Sequence, residues 1–356
     1  MAINLGFFVP SLHYGGGEIW TYNMIRFLDR SIVDYSICIV YGEKYSANLL
    51  GKISKLLPVY VSGYIYFLNK RRNCAIEEAI SILKNKSDIV IIWGLQESQL
   101  NIFNGYDRPI INMVVSKHVK NFFPKGRYNY YATCSEVCVN CFPEDIRDRV
   151  KVIPNGIDLN RCFPIKKRNY MRNLWEIEDK VLVLGYLGRL DPIKNCEAIA
   201  RVVAAFNGHL QAVCYVQKDI NSDTIKTNML RISPTNIKFY DAVDDIGSIL
   251  NAIDVIMLPS YSEVFPLVVL EAWAAKVPVV ATNVGELHIL YKEYGELFIP
   301  ILPDDSGENL AISVNKSISN IAGIEKAHSI TLKKYNVNKM AYLWLCFLED
   351  IIEETN

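Results

Sequence analysis

The chain has 356 residues, 51% of them hydrophobic and 21% charged, and its 38 basic side chains balance 38 acidic ones. This length and balance predict a folded protein of two domains and exclude an intrinsically disordered one. A chain of zero net charge lacks the basic footprint of nucleic-acid-binding proteins, so we expect no nucleic acid partner.

The N-terminus has an apolar run without a basic region or a cleavage site, which predicts a first strand and not a signal peptide. The longest apolar runs, such as 341–348, are far shorter than the roughly 20 residues that a membrane span needs. Nine cysteines without an export signal indicate a reducing, cytoplasmic setting.

Short β-rich apolar runs alternate with helical patterns in the first half of the chain, which predicts an α/β fold with parallel sheets. Apolar residues at helical spacing predict helices at 17–30 and 72–86. The predicted strands of this half are 3–9, 35–41, 57–62, 88–93, 109–115, 130–134 and 150–153.

A glycine-rich segment, Gly15-Gly16-Gly17-Glu18, follows the first predicted strand and opens a helix. Glycines let the backbone approach a ligand closely, and a helix N-terminus favours negative charge. The segment matches neither the dinucleotide pattern G-x-G-x-x-G nor a P-loop. It predicts either a tight turn or an anion-binding loop around Gly16 and Gly17.

The segment 152–164 (VIPNGIDLNRCFP) interrupts the alternation with turn-forming residues, and we place a domain boundary there. A second series of predicted strands follows at 181–187, 210–216, 237–240, 255–258, 277–281 and 297–299. In sheets of this kind ligands bind beyond the carboxyl ends of the strands.

Two cations follow the first strand of the second series, in the segment GRLDPIKN at 188–195. Arg189 and Lys194 can pair with both phosphates of a diphosphate, because Arg supplies a planar fork and Lys a movable charge. The alternative interpretation is a basic loop on a solvated surface.

Two glutamates with seven residues between them, Glu263 and Glu271, lie in the segment SYSEVFPLVVLEAWAAKVPVVAT at 260–282. Glu263 is in the loop after a strand, and Glu271 is inside the next short helix. Such a pair can bind two parts of one polyol, while the amides of the helix's first turn face an anion. This arrangement suits a nucleotide sugar; a helix cap and a solvated helix residue are the alternative.

With its flanking segments LPS, FPL, LEA and VPVVAT, this stretch resembles the E-x7-E signature of the retaining glycosyltransferases of family 4, which have the GT-B fold. The segment 188–195 is similar to that family's GRL-x-x-x-KN motif. The resemblance covers nearly the whole chain and implies two doubly wound Rossmann-like domains facing an interdomain cleft. The implied domains are an acceptor-side domain at 1–160, a nucleotide-sugar domain at 165–335, and a C-terminal helix at 336–356 that packs back on the first domain.

The resemblance implies that Arg189 and Lys194 bind the donor diphosphate and stabilise its charge as it leaves. Gly16 and Gly17 would approach the diphosphate from the first domain. His118 is placed near the donor's reactive carbon, where it would hydrogen-bond the donor sugar; here it lies in an SKHVKNF context instead of the family's VHD.

For the second domain, the resemblance implies that Glu263 and the backbone amides of Phe265 and Leu267 face the donor sugar. Glu271 would accept hydrogen bonds from the ribose hydroxyls, and the backbone around Val243 would read the base. The turn at 283–286 corresponds to a glycine-rich turn of the family, with Glu286 where a second glycine is frequent.

The implied activity is transfer of a sugar from a nucleoside diphosphate sugar, most simply UDP-linked, to a glycan or lipid-linked acceptor, with retention of configuration. Bacterial surface polysaccharide biosynthesis is the expected setting, in the cytoplasm or peripheral to the inner membrane. We expect no cofactor and no metal, because no Asp-x-Asp pair occurs in the sequence.

Other functions stay open at this point. Cys134, Cys138 and Cys141 have the spacing that holds an iron–sulfur cluster in radical S-adenosylmethionine enzymes, or are small buried fillers. A GT-B phosphorylase or epimerase and a non-catalytic sugar-binding protein are also alternatives. Residues 70–72 (KRR) follow the aromatic segment 63–69 and predict either contact with anionic lipid headgroups or an exposed helix start.

Overall fold

The computed structural model describes residues 2–13, 15–94, 97–115, 129–206, 209–217 and 221–355. The chain divides into two compact units, one formed by Met1–Asn155 with Val337–Asn356 and the other by Gly156–Asn336. We call them the first and the second unit. The predicted site residue His118 lies outside the described residues.

The first unit is built on one mostly parallel sheet. Its strands are β1 (Ile3–Val9), β2 (Val33–Val40), β3 (Val59–Val61), β4 (Tyr64–Phe67), β5 (Lys70–Asn73), β6 (Ile89–Trp93), β7 (Ile110–Val114), β8 (Asn129–Thr133) and β9 (Val150–Val152), and the order across the sheet is β5-β4-β3-β2-β1-β6-β7-β8-β9. The intervening helices are α1 (Gly16–Phe27), α2 (Ala47–Ile53) and α3 (Ile76–Lys86). Central strands such as β6 are buried along their whole length, which is why they read as continuous apolar runs.

The edge of this sheet corrects one prediction, since no helix begins at residue 72. Instead β4 and β5 form an antiparallel hairpin on β3, and α3 starts at Ile76. The turn of the hairpin is Leu68-Asn69, both with left-handed backbone (φ 47° and 64°), and such turns match the twist of the flanking strands. Because the turn is not Asn-Gly, the commonest hairpin signal is absent from the sequence.

The second unit carries a fully parallel sheet, ordered β12-β11-β10-β13-β14-β15 within the described residues. Its strands are β10 (Leu182–Arg189), β11 (Leu210–Gln217), β12 (Ile237–Asp241), β13 (Val255–Leu258), β14 (Val279–Thr282) and β15 (Ile299–Ile301). Its helices are α4 (Arg168–Leu174), α5 (Glu197–Ala205), α6 (Ser222–Ile232), α7 (Ile246–Ala252), α8 (Leu267–Ala274), α9 (Glu286–Tyr294), α10 (Gly307–Ser319) and α11 (Ile321–Lys334). One core cluster lies where α5, α6 and α10 cover the sheet.

The last helix, α12 (Val337–Thr355), belongs to the first unit. Its residue Trp344 is fully buried and lies 5.4 Å from the ring of Trp20 on α1, and Phe347 packs edge-on against Tyr130 of β8. In the ranges that the structure describes, neither α12 nor another helix combines the length and the apolarity that crossing a bilayer requires.

Both sheets change the direction of strand addition at their centres. In the second unit the chain adds β11 and β12 to one side of β10, and then β13, β14 and β15 to the other. Ligands of open parallel sheets bind outside the carboxyl ends of the strands at such a switch point. In the second unit that point lies between β10 and β13.

Candidate functional site

The loops that follow β10 and β13 lie side by side, because the two strands are parallel neighbours. The backbone N–H of Tyr261 donates to the carbonyl of Ile193, 2.8 Å away, and joins the two loops directly. This contact brings the predicted diphosphate segment, residues 188–195, against the segment that carries Glu263. The switch point of the sheet and the two sequence motifs therefore coincide.

Lys194 and Glu263 form an ion pair in this place. Lys194 Nζ donates to Glu263 Oε1 at 2.6 Å, and the hydroxyl of Ser260 donates to the same oxygen at 2.7 Å. Both charged side chains are largely buried. The carboxylate is thus held from two directions, with its negative charge compensated by Lys194.

Asn195 positions Lys194. It adopts the left-handed conformation (φ 49°), and its side-chain amide donates to the carbonyls of Pro259 and Pro303 at 3.2 and 2.8 Å. Asp191 caps the short 3-10 helix Pro192–Lys194 by accepting from the N–H of Ile193. These contacts explain why the motif pairs a lysine with an asparagine that tolerates the left-handed region.

Arg189 is the last residue of β10, and its side chain is 38% exposed. Its guanidinium lies 3.5 Å from Asp191, while its carbonyl accepts from the hydroxyl of Tyr186 at 2.5 Å. The backbone is therefore anchored, and the charged head reaches solvent at the carboxyl end of the sheet.

The turn after β14 packs against the loop that carries Glu263 and holds it in place. Gly285 has φ 62°, and a Cβ added there would lie 2.4 Å from the carbonyl oxygen of Glu263. The N–H of Glu286 donates to the carbonyl of Val264 at 2.7 Å, and the Thr282 hydroxyl donates to the carbonyl of Ser260 at 2.5 Å. Glu286, the residue that replaces a glycine in the family pattern, is buried and begins α9.

Glu271 lies in the middle of α8 and is 8% exposed. Its Oε1 accepts from Arg161 Nη1 at 2.7 Å. Burial raises the pKa of the Glu271 carboxyl above its ordinary value, and the guanidinium of Arg161 acts in the opposite direction. Glu271 is therefore a partnered buried carboxylate and not a solvated helix residue.

The remaining predicted residues of the second unit surround α8 or lie on a separate loop. Phe265 is buried with its ring edge-on to Tyr335 at 5.3 Å, and Leu267 is the first residue of α8. Val243 is 41% exposed in the connection between β12 and α7. Pro266 at the N-cap of α8 has no N–H to donate, so the first-turn amides that can face a ligand start at Leu267.

In the first unit, Gly16 and Gly17 are the first two residues of α1. A Cβ on Gly17 would lie 3.0 Å from the ring of Trp93, whereas one on Gly16 would meet no atom within 4 Å. The neighbouring Glu18 is buried and accepts from the hydroxyl of Ser11 at 2.5 Å. Close packing against Trp93 therefore explains why residue 17 is a glycine, whereas a side chain at position 16 would extend into open space.

The cysteine alternative receives no structural support. Cys134 and Cys138 are buried where β8 leads into the 3-10 helix Glu136–Cys141. Across the described ranges, which include all three cysteines, no group of three or more His, Cys, Asp or Glu side chains is arranged to hold a metal ion. Cys134, Cys138 and Cys141 are therefore not arranged to bind an iron–sulfur cluster.

Several residues that hold the site together were not predicted from the sequence. Arg161 and Ser260 had no predicted role, and Gly285 was predicted only as part of the turn at 283–286. Arg161 contacts Glu271, 110 residues further along the chain. Ser260 and Gly285 both contact Glu263, which lies 3 residues after Ser260 and 22 residues before Gly285. A glycine after a strand is a signal for close approach, but a lone arginine in a linker is not.

Comparison with known proteins finds similarity within the second unit. Residues 181–320 match the family model Glycosyl transferases group 1. D-inositol 3-phosphate glycosyltransferase of Stackebrandtia nassauensis is 33% identical over 167 residues, which are 43% of this chain and 37% of the relative. O-antigen biosynthesis glycosyltransferase WclY of Escherichia coli is 26% identical over 199 residues, 54% of this chain and 48% of the relative. The matched parts thus span less than half of these relatives.

Solved structures show the fold of the whole chain. HepE (Alr3699) of Anabaena, solved in complex with UDP and glucose, gives a TM-score of 0.78 at 17% identity over 98% of this chain and 99% of that one. WaaG, a glycosyltransferase involved in lipopolysaccharide biosynthesis, gives 0.69 at 12% identity over 96% and 99%. The chain therefore has the GT-B fold of these solved structures, and its residues 181–320 are similar to the glycosyl transferases group 1.

Proposed function

We propose that this protein is a retaining glycosyltransferase that moves a sugar from a nucleoside diphosphate sugar to a hydroxyl group of a glycan or a lipid-linked acceptor. The proposed donor is UDP-linked, in keeping with the UDP and UDP-glucose bound by the HepE structures that share this fold. The proposed setting is bacterial polysaccharide biosynthesis on the cytoplasmic side, in keeping with relatives of the O-antigen type.

The main support for this proposal is that the charged residues of both sequence motifs lie together at the switch point between β10 and β13. Lys194 and Glu263 meet there at 2.6 Å, Arg189 ends the adjacent strand, and α8 begins directly after the Glu263 loop. Cations beside a carboxylate and a helix start fit a ligand that has both phosphates and hydroxyls. A sugar diphosphate has both.

In this function the phosphates would draw Lys194 toward the ligand, so that Lys194 serves the diphosphate and Glu263 is released to a sugar hydroxyl. The bond between the anomeric carbon and the diphosphate oxygen breaks, and Arg189, Lys194 and the α8 amides stabilise the charge on the leaving oxygen. The acceptor oxygen bonds to the same face of the anomeric carbon, and its proton passes to the departing phosphate. No metal is needed in this scheme, since cationic side chains supply the positive charge.

We also propose that the protein makes peripheral contact with an anionic membrane surface through the β4–β5 hairpin. All four residues of β5 (KRRN) are exposed, and Phe67 and Leu68 at the turn are 38% and 55% exposed. A basic strand beside exposed apolar side chains suits the boundary between headgroups and acyl chains.

Thermal unfolding with UDP, GDP and ADP in EDTA tests the donor site, on the wild type and on Glu271→Ala. At a ligand concentration of 100 times the dissociation constant, the stabilisation should be about 2.7 kcal/mol. We expect one nucleotide to stabilise the wild type and to lose this effect in Glu271→Ala. Absence of stabilisation by all three nucleotides would contradict the proposal. Product analysis then separates the alternatives. A transferase releases the nucleoside diphosphate and forms a new linkage, whose anomer read by NMR shows retention. A phosphorylase works with a sugar 1-phosphate, an epimerase forms no new linkage, and a sugar-binding protein leaves the donor unchanged.

A further inference from the structure

The ion pair between Arg161 and Glu271 joins two segments that lie 110 residues apart. Arg161 belongs to the 3-10 helix Leu159–Cys162, whose first turn Asp158 caps by accepting from the N–H of Asn160 at 3.0 Å. This short helix packs against α8. The arginine therefore reaches Glu271 from a rigid, capped element and not from a flexible loop.

The pair is not an ordinary surface salt bridge. The Glu271 side chain is 10% exposed and that of Arg161 is 24% exposed. A buried carboxyl without a cation becomes neutral, because removal of the charge from water is costly. Burial raises the pKa of Glu271, and the positive charge of Arg161 opposes this shift.

Titratable groups reach α8 from the segment 158–162 and from α11, whose Glu325 pairs with Lys276 at 2.8 Å just beyond the end of α8. The segment 158–162 contributes Arg161, Asp158 and Cys162, and burial raises the pKa of the Cys162 thiol so that it stays neutral. From α11, His328 reaches the carbonyl of Trp273 at 3.2 Å. The strands β13 (VIML) and β14 (VVAT) contribute no charged side chain.

We propose that Arg161 is a positioning residue for the donor nucleotide: it keeps Glu271 ionised and oriented, so that Oε2 of Glu271 accepts hydrogen bonds from the ribose diol. This inference rests on the proposed function, in which Glu271 binds the ribose. In the described part of the chain, Oε1 of Glu271 is engaged by Arg161, and no hydrogen bond to Oε2 occurs. A carboxylate can accept from two hydroxyls, whereas a neutral carboxyl must itself donate one proton.

The first test needs no nucleotide. Protein labelled with 13C at the glutamate carboxyls is titrated by NMR, and the Glu271 signal is identified by its loss in Glu271→Gln. We expect the Glu271 carboxyl to titrate at a higher pH in Arg161→Met than in the wild type, because burial then acts without opposition. Arg161→Lys, which retains the charge, should lie between them. An unchanged titration in Arg161→Met would overturn the proposal.

The second test measures the binding of UDP by calorimetry over a pH series. We expect Arg161→Met to bind about ten- to hundred-fold more weakly than the wild type at the acid end, the usual effect of losing one charge-assisted hydrogen bond. The sign follows from the raised pKa of Glu271: its ionised form is restored as pH rises, so the ratio of the two dissociation constants should fall and leave at high pH only the part due to orientation. A loss that stays constant with pH would assign Arg161 a purely structural role and would overturn the proposal.

Controls separate this inference from the proposed function. Glu271→Gln should weaken UDP binding at every pH, and adding Arg161→Met to it should change little, because the two residues act as one unit. Arg231→Met, which removes an exposed arginine from the end of α6, should bind UDP like the wild type. If Glu271→Gln binds UDP normally, the proposed function fails; if Glu271→Gln is impaired and Arg161→Met is not, the role of Arg161 fails alone.

Discussion

At the scale of single residues, the candidate site consists of side chains that face a ligand and residues that hold them in place. Lys194, Glu263 and Glu271 carry the charges, and each is fixed by a partner with a definite geometry. Asn195 and Gly285 act through backbone conformation, because both have a positive φ, and the Asn195 side chain also donates to two carbonyls. Precise placement of the charged groups is what lets a site act on a transition state.

Substitution of Gly285 tests this supporting role. Gly285→Ala puts a Cβ 2.4 Å from the carbonyl of Glu263 at a backbone conformation unfavourable to alanine. The backbone strain alone should lower the free energy of unfolding by about 1–3 kcal/mol. The clash should lower it further and displace Glu263, so that turnover falls as well. Urea unfolding and steady-state kinetics measure the two effects.

Gly295 is the matched control for this substitution. Its backbone is nearly the same (φ 77°, ψ −145° against φ 62°, ψ −141°), but a Cβ there meets no atom within 4 Å. Gly295→Ala should therefore show the strain without the clash and should leave turnover unchanged. Equal losses of stability and activity in the two variants would refute the supporting role of Gly285.

At the scale of elements, the β4–β5 hairpin differs most from the sequence prediction and carries the proposed membrane contact. Arg72 is paired with Glu78 at 2.7 Å, and Arg71 lies over the ring of Tyr64 at 4.6 Å, so Lys70 and Arg71 are the cations left for a surface. Charged residues on an edge strand also prevent unwanted strand pairing. A binding measurement separates the two roles.

The measurement is co-sedimentation with phosphatidylglycerol vesicles at low and physiological salt. Each basic residue near an anionic surface contributes about 1 kcal/mol, so K70E/R71E should reduce binding by more than tenfold. K86E/K316E changes the net charge by the same amount at other exposed sites and should bind like the wild type. Leu68→Asn should also weaken binding while relieving the left-handed backbone of Leu68. If the hairpin variants and the control bind equally, the proposed contact is wrong.

At the scale of the whole molecule, the two units differ in how the chain forms them. The second unit is continuous from Gly156 to Asn336, and near its ends Ile157 donates its N–H to the carbonyl of Tyr335 at 2.9 Å. The first unit is completed by α12, whose Trp344 covers Trp20 of α1. The second unit is therefore formed by one continuous segment, whereas the first unit needs two segments that are far apart along the chain.

Fragments test this difference. We expect residues 156–336 to unfold in one cooperative transition and to retain nucleotide binding, since their core and candidate site are complete. Residues 1–155 alone should not fold stably, because removal of α12 exposes the aromatic core around Trp20. Joining 337–356 to residue 155 through a flexible linker should restore folding. Circular dichroism on heating measures all three fragments; a stable fold for 1–155 alone would contradict the argument.

The sequence by itself determined the α/β class, the strands of the second unit to within a few residues, and the two motifs that meet at the switch point. It could do so because buried parallel strands appear as apolar runs and because the motif residues lie close together along the chain. Tertiary structure alone decided the β4–β5 hairpin, the pairing of Arg161 with Glu271 and the support of Glu263 by Gly285. Each of these depends on a contact or a backbone angle that local residue spacing does not encode.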